Sequence, residues 1–169
     1  MPAEVIREPL ALRLSLPGLD PYVIELGVLA NPLLGSNLAE GLAAAVHPHG
    51  PIGKPSTVRA FVSTLRRMVR ELALAGFTGS AAELTRPVLG QFWLRSHYLV
   101  EYRTRTMLRA FDQSLQRLAD PVRQMVFGTN YKRPVKQRRH ELRHRPTVQV
   151  ADGTSELGYS DSSNTRLHR

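Results

Sequence analysis

Arginines recur through the middle of this 169-residue chain at intervals that bring their side chains together. On a helix drawn through residues 55–75, at about 100° per residue, Arg59, Ser63, Arg66 and Arg70 share one sector of about 60°, with Arg67 beside them. A guanidinium presents five N–H donors in a planar fork that meets a phosphate at two points, so such a row suits a polyanion. Arg103, Arg105 and Arg109 form a second group, whose field Asp112 dilutes. Lys132, Arg133, Lys136, Arg138 and Arg139 form a third, a basic arm able to track a nucleic-acid backbone. The plainer alternative for each is a wet helix face whose arginines pair with acids such as Glu71, or a solvated tail.

Other chemistries find little support. The chain has no cysteine, hence no disulfide framework, thiolate zinc site or thiol nucleophile. His47 and His49 stand in a Pro/Gly stretch without a third ligand, so no metal site is expected. Gly50 to Lys54 has some look of a phosphate loop, but Pro48 lies where its first glycine belongs and Pro55 replaces the Ser or Thr after the lysine. Phe92 and Trp93, at helical spacing, read as core residues rather than as a stacking platform. No cofactor is implied.

The charge balance is +9, from 23 Lys+Arg against 14 Asp+Glu, and it is unevenly placed. Residues 1–53 hold two Arg against five acids, a net of −3. Residues 54–127 hold twelve cations against five acids, a net of +7. Residues 128–146 hold seven against one, a net of +6, and the remainder comes to −1. This excess points to an acidic partner and says nothing about fold. Glu4 and Glu8 occupy the place of a signal peptide's basic patch, and no apolar run approaches the roughly 20 residues of a membrane span. A cytoplasmic protein without a membrane segment is therefore expected.

The elements that must position these groups follow from periodicity. Leu10, Leu12, Leu14 and Leu16 alternate with Ala11, Arg13 and Ser15, the period of a half-buried strand; Pro17-Gly18 turns the chain and Tyr22 to Leu26 returns it. Asn37 with Glu40 predicts a short helix from Leu38 to Val46. From Pro55, with Ser56 or Thr57 as cap, Val58, Phe61, Val62, Leu65, Met68, Val69 and Leu72 make one apolar stripe. Gly76-Phe77 ends that helix in a left-handed turn. Ser80 and Glu83 cap a small turn. Thr85 and Pro87 open a second helix with Val88, Leu89, Phe92 and Trp93 inward. A third, from about Leu99 to Leu118, turns Val100, Met107, Leu108, Phe111, Leu115 and Leu118 inward and Arg105, Arg109, Asp112 and Gln116 outward. Asp120-Pro121 opens a fourth through Val122, Met125 and Val126, ended by Gly128. The expected fold is mainly α: an amino-terminal segment of short strands and one helix over 1–53, a four-helix bundle over 54–128, and a basic, then Ser/Thr/Asp-rich tail over 129–169, ordered only on a partner.

Within the bundle, PSTVRAFVSTLRRMVRELALAGFTG, AELTRPVLGQFWL and RTRTMLRAFDQSLQRL follow one another in an order that resembles the core-binding domain of tyrosine recombinases, the phage-type integrases. The resemblance covers less than half the chain and rests on apolar positions rather than a catalytic signature. It implies a small SAM-like bundle that clamps duplex DNA ahead of a separate catalytic domain, for which too little chain remains. Two tail fragments are similar to parts of that domain. His140-Glu141-Leu142-Arg143-His144 is similar to its His-x-Leu-Arg-His stretch, which would make His140 and Arg143 phosphate-stabilising groups. Leu157 to Asp161 resembles the Leu-Gly-His-Ser box, but Tyr159 replaces its His, His168 stands at the nucleophile position, and no Arg-Lys half of the site is identifiable. Cleavage needs several cations held rigidly around one phosphate, so no strand cleavage is expected.

The resulting expectation is a DNA-binding helical module of integrase type that contacts duplex DNA mainly through phosphates. The alternative is a helical protein-interaction domain without DNA affinity. A protein partner, or self-association on DNA, stays open.

Overall fold

Leu12 and Leu14 need an apolar neighbour on one side while Arg13 needs water, and the central strand of a three-stranded antiparallel sheet meets both demands. In the computed structural model, which describes residues 2–46, 52–115 and 117–128, strand β2 (Leu10–Leu14) pairs with β1 (Ala3–Arg7) from Ala3↔Leu14 to Arg7↔Leu10. On its other side β3 (Tyr22–Glu25) pairs from Ala11↔Glu25 to Leu14↔Tyr22. The return strand is as the sequence implies, and Leu12, Leu14 and Leu16 are buried with Arg13 and Ser15 exposed; Ala11, expected outward, is buried as well, and Leu10 is only half-buried. Strand β1, with no clear alternation of its own, was not foreseen.

Helix α1 spans Pro32–Ala45, six residues earlier than the expected start at Leu38. The residue pair that starts it is Asn31-Pro32: the Asn31 carboxamide oxygen accepts from the Leu34 N–H at 3.1 Å, and Pro32 gives up no hydrogen bond at the first helical position. Asn37 lies inside the helix, where its Oδ1 accepts the Ala81 N–H at 2.9 Å. Leu34, Leu38 and Leu42 are wholly buried, because α1 crosses α4 (Tyr98–Leu115) so closely that a Cβ at Gly41 would strike the Met107 carbonyl. One apolar core thus holds residues from both sides of the boundary at 53/54.

Helix α2 (Pro55–Leu74) buries the expected stripe from Val58 to Leu72, although its cap position is Lys54 rather than Ser56 or Thr57. Gly76 adopts φ 85°, and the Phe77 N–H returns to the Leu72 carbonyl at 2.9 Å, the left-handed stop written in Gly76-Phe77. Ser80 and Glu83 cap a single 3-10 turn, Ala81–Glu83, reciprocally. Helix α3 (Arg86–Arg95) follows, with Leu89, Phe92 and Trp93 buried and Val88 half-buried. Helix α4 stops at Leu115, short of Leu118, and α5 (Asp120–Phe127) buries Val122, Met125 and Val126 after a cap at Ala119. The described residues are mainly helical with a small sheet. Among the described residues no helix is long and apolar enough to cross a membrane.

Candidate nucleic-acid interface

Because α2 spends its apolar stripe on the core, its opposite side must face water. Arg59, Arg66 and Arg70 stand exposed there, in a row about 16 Å long at 1.5 Å per residue. The row runs beside the sheet's β3 edge. Arg66 donates from Nη2 to the Glu25 carbonyl at 2.6 Å and from Nε to the Leu26 carbonyl at 3.2 Å, so it closes that strand's end. Burial raises the Tyr22 hydroxyl above its ordinary pKa, while the positive charge of Arg59 pulls it back. Arg59 and Arg70 make no hydrogen bond or ion pair among the described residues. Between the loop Leu26–Ala30 and α2 lies an open hollow of about 430 Å³, lined by Arg66, Val69 and Arg70 from α2 and by Leu26 and Leu29 from the loop.

The remaining arginines are placed differently. Arg67 lies off the row and pairs with Glu71 one turn on, Nε to Oε1 at 2.6 Å, the pairing that a wet helix face offers. Arg103 reaches back to the Thr64 hydroxyl at 3.4 Å, half-buried between α4 and α2.

Arg105 and Arg109 do not project outward, and here the expected outer face of α4 is corrected. Arg105 lies 4.9 Å over the Trp93 ring, pairs with Glu101 at 2.8 Å and donates to the Gly128 carbonyl at 3.0 Å. Arg109 donates from Nε to the Val126 carbonyl at 2.7 Å and lies against the Phe127 ring. Together they satisfy carbonyls at the end of α5, where a helix dipole favours cations. Burial first, and then the neighbouring Arg105 charge, lower the Arg109 pKa. Asp112, 4% exposed, belongs to the same packed face: its carboxylate accepts from the Leu118 N–H at 2.9 Å and from Arg123 Nε at 2.8 Å. The bond from Arg123 holds its pKa below the usual carboxylate value against the cost of burial. α5 covers this side of α4, so polar residues there serve the fold. Nothing in the local sequence marks Arg123 as Asp112's partner: the two lie eleven positions apart, and only the turn between α4 and α5 joins them.

Trp93 is wholly buried and donates from Nε1 to the Thr104 hydroxyl at 2.8 Å, so with Phe92 it is core. Among the described residues no cluster of three or more His, Asp or Glu could hold a metal ion. His47, His49, His140, Arg143, Lys132, Arg133, Lys136, Arg138 and Arg139 lie outside the described residues.

No protein-family model, no curated protein and no solved structure matches this chain.

Proposed function

We propose that the chain is a DNA-binding helical module of integrase or site-specific-recombinase type, holding duplex DNA mainly through phosphates and without strand-cleavage activity of its own. The observation that carries this reading is the row of Arg59, Arg66 and Arg70 along the water-facing side of α2, with no acid between them on that side. Arg66 is fixed by the two backbone carbonyls and keeps Nη1 uncommitted among the described contacts. Arg59 and Arg70 flank it one to two turns away and are free to meet successive phosphates. An arginine already held in place loses less side-chain freedom on binding. The resemblance of residues 54–127 to a core-binding domain supports the same reading and carries the SAM-like arrangement of α2 to α5 with it. Lys132, Arg133, Lys136, Arg138 and Arg139 then act as a following arm, and Arg103 adds charge at the α2–α4 seam. Arg105 and Arg109 are left out of the contact set, since both are half-buried against α5, reaching the Gly128 and Val126 carbonyls at its end.

The protein-interaction alternative draws on apolar helix faces, and the faces of α1 and α2 are spent on the chain's own core. The test is titration of a labelled duplex at stepped salt. Replacing Arg59 and Arg70 with Ala lowers affinity alike for unrelated duplex sequences and reduces the log–log salt slope by about 2. A chain that binds no duplex at low salt, yet co-purifies with one protein in fixed ratio, contradicts it.

A further inference from the structure

The hollow between the loop Leu26–Ala30 and α2 joins apolar walls to cations that nothing in it offsets. Val28, Leu29 and Val69 line it together with Arg66 and Arg70. Val28 is fully exposed, an apolar side chain left in water on a loop that begins at buried Leu26. Arg66 is fixed by its bonds to the Glu25 and Leu26 carbonyls, so one cation is in place before anything binds. Arg70 stands one turn on, exposed, with no hydrogen bond or ion pair among the described residues. No acid lines the hollow. Glu25, next to the loop in the chain, gives its carbonyl to Arg66 and forms no ion pair among the described residues.

Charge and apolar surface together select the occupant. Duplex phosphates match the arginines and leave the apolar wall wet, whereas a peptide with acids around apolar side chains matches both. The chain contains such a segment outside the described residues. Residues 151–161, ADGTSELGYSD, carry Asp152, Glu156 and Asp161 with Leu157 and Tyr159, and no Lys or Arg, a net of −3. The other acid outside the described residues, Glu141, stands among Arg138, Arg139 and Arg143, which offset it. Length allows the contact. Residues 129–151, which join Gly128 to Asp152, reach up to about 75 Å at about 3.3 Å each, against a radius of gyration of about 14 Å for a body of about 120 residues. The basic arm on the way, Lys132 to Arg139, offers the acids charge without an apolar stripe for Leu157 and Tyr159.

We infer that residues 151–161 dock in the hollow of their own chain, with Leu157 and Tyr159 on the apolar wall and the acids facing Arg66 and Arg70. The tether makes the contact intramolecular, so an affinity too weak to join separate molecules suffices to hold it. Docking covers Arg70 and competes with duplex DNA. That consequence rests on the proposed function; the docking itself does not.

The test is made without DNA first. Because the chain has no cysteine, Ser163→Cys takes a nitroxide label at a single place in the full chain. The label broadens the Leu29 and Val69 amide signals to the same extent at every protein concentration. The signals recover in D152N/E156Q/D161N, in L157A/Y159A and in R70A, which breaks no described contact; far-UV circular dichroism checks that each variant folds. Duplex titration follows. A segment docked about two-thirds of the time leaves about one-third of the chains open, so L157A/Y159A, which leaves the net charge unchanged, raises duplex affinity about threefold. Unbroadened signals, broadening that survives either tail variant, or broadening that fades on dilution, the mark of a second copy's tail, overturns the inference. So does duplex binding that L157A/Y159A leaves unchanged. Broadening in a chain that binds no duplex upholds the docking and removes the proposed function instead.

Discussion

The guanidinium of Arg66 grips the backbone at Glu25, Nη2 to carbonyl oxygen at 2.6 Å, and so ties the middle of α2 to the last residue of the sheet. A residue read as a phosphate contact is thereby also a tie between the amino-terminal strands and the helices. The two roles are separable by substitution. Arg66→Ala loses charge-assisted bonds to two carbonyls and should cost about 1–2 kcal/mol in urea unfolding, discounted for exposure. Arg59→Ala and Arg70→Ala, which break no described contact, should stay within about 0.5 kcal/mol. Arg66→Lys does not restore the loss, since an ammonium lacks the fork that spans two carbonyls.

Asp112 gives the fold a pH dependence. Its carboxylate is held in the ionised form by Arg123 and by the Leu118 N–H, so its folded pKa lies below its unfolded one. The stability it supplies is present above the unfolded value of about 3.9 and is lost as pH falls toward the lower folded one. Asp112→Ala should cost about 2 kcal/mol near neutral pH, because Arg123 and the Leu118 N–H lose their acceptor. The variant's stability should also decline less than the parent's between neutrality and acid. Thermal unfolding of both across that range checks the direction; parallel declines would show that the carboxylate does not carry the effect.

Gly41 marks the closest approach of α1 to α4. A methyl group there meets the Met107 carbonyl and the Phe111 Cβ, and backbone cannot swing aside as a side chain would. Gly41→Ala should destabilise by about 2–3 kcal/mol, despite the better helix propensity of alanine. Gly18→Ala, with open space around its Cβ but φ 75°, should cost less, about 1 kcal/mol. Chemical denaturation ranks the two.

Trp93 is the chain's single tryptophan, wholly buried, bonded to Thr104 and covered by Arg105. Its emission should be blue-shifted and shielded from acrylamide, and should not change when DNA is added. Quenching by DNA in the folded state would place the ring at the interface instead.

Local chemistry was legible where one signal dominated. The stripe of α2, the Gly76-Phe77 stop and the Ser80–Glu83 capping box each declare themselves within a few residues, and each is found. The start of α1 was misplaced because Asn37-x-x-Glu40 and Asn31-Pro32 both have the form of a cap; only the contact of Asn37 with Ala81, 44 positions away, decides between them. The side of α4 bearing Arg105, Arg109 and Asp112 looked wet because its residues are polar. They are polar because they satisfy the end of α5 and the turn before it, a demand visible only after the helices are packed. Of the candidate interface, the spacing gave the row of Arg59, Arg66 and Arg70, while the tie from Arg66 to β3 required the fold.

Under the proposed function, the exposed arginines of α2 hold duplex DNA by its phosphates. The most direct measurement is the salt dependence of duplex affinity for the parent chain and for Arg59→Ala/Arg70→Ala. A linear fall of log affinity with log salt, with a slope shallower by about 2 in the variant, is the predicted result. Equal slopes and affinities for the two proteins, or no duplex binding at low salt, would contradict it.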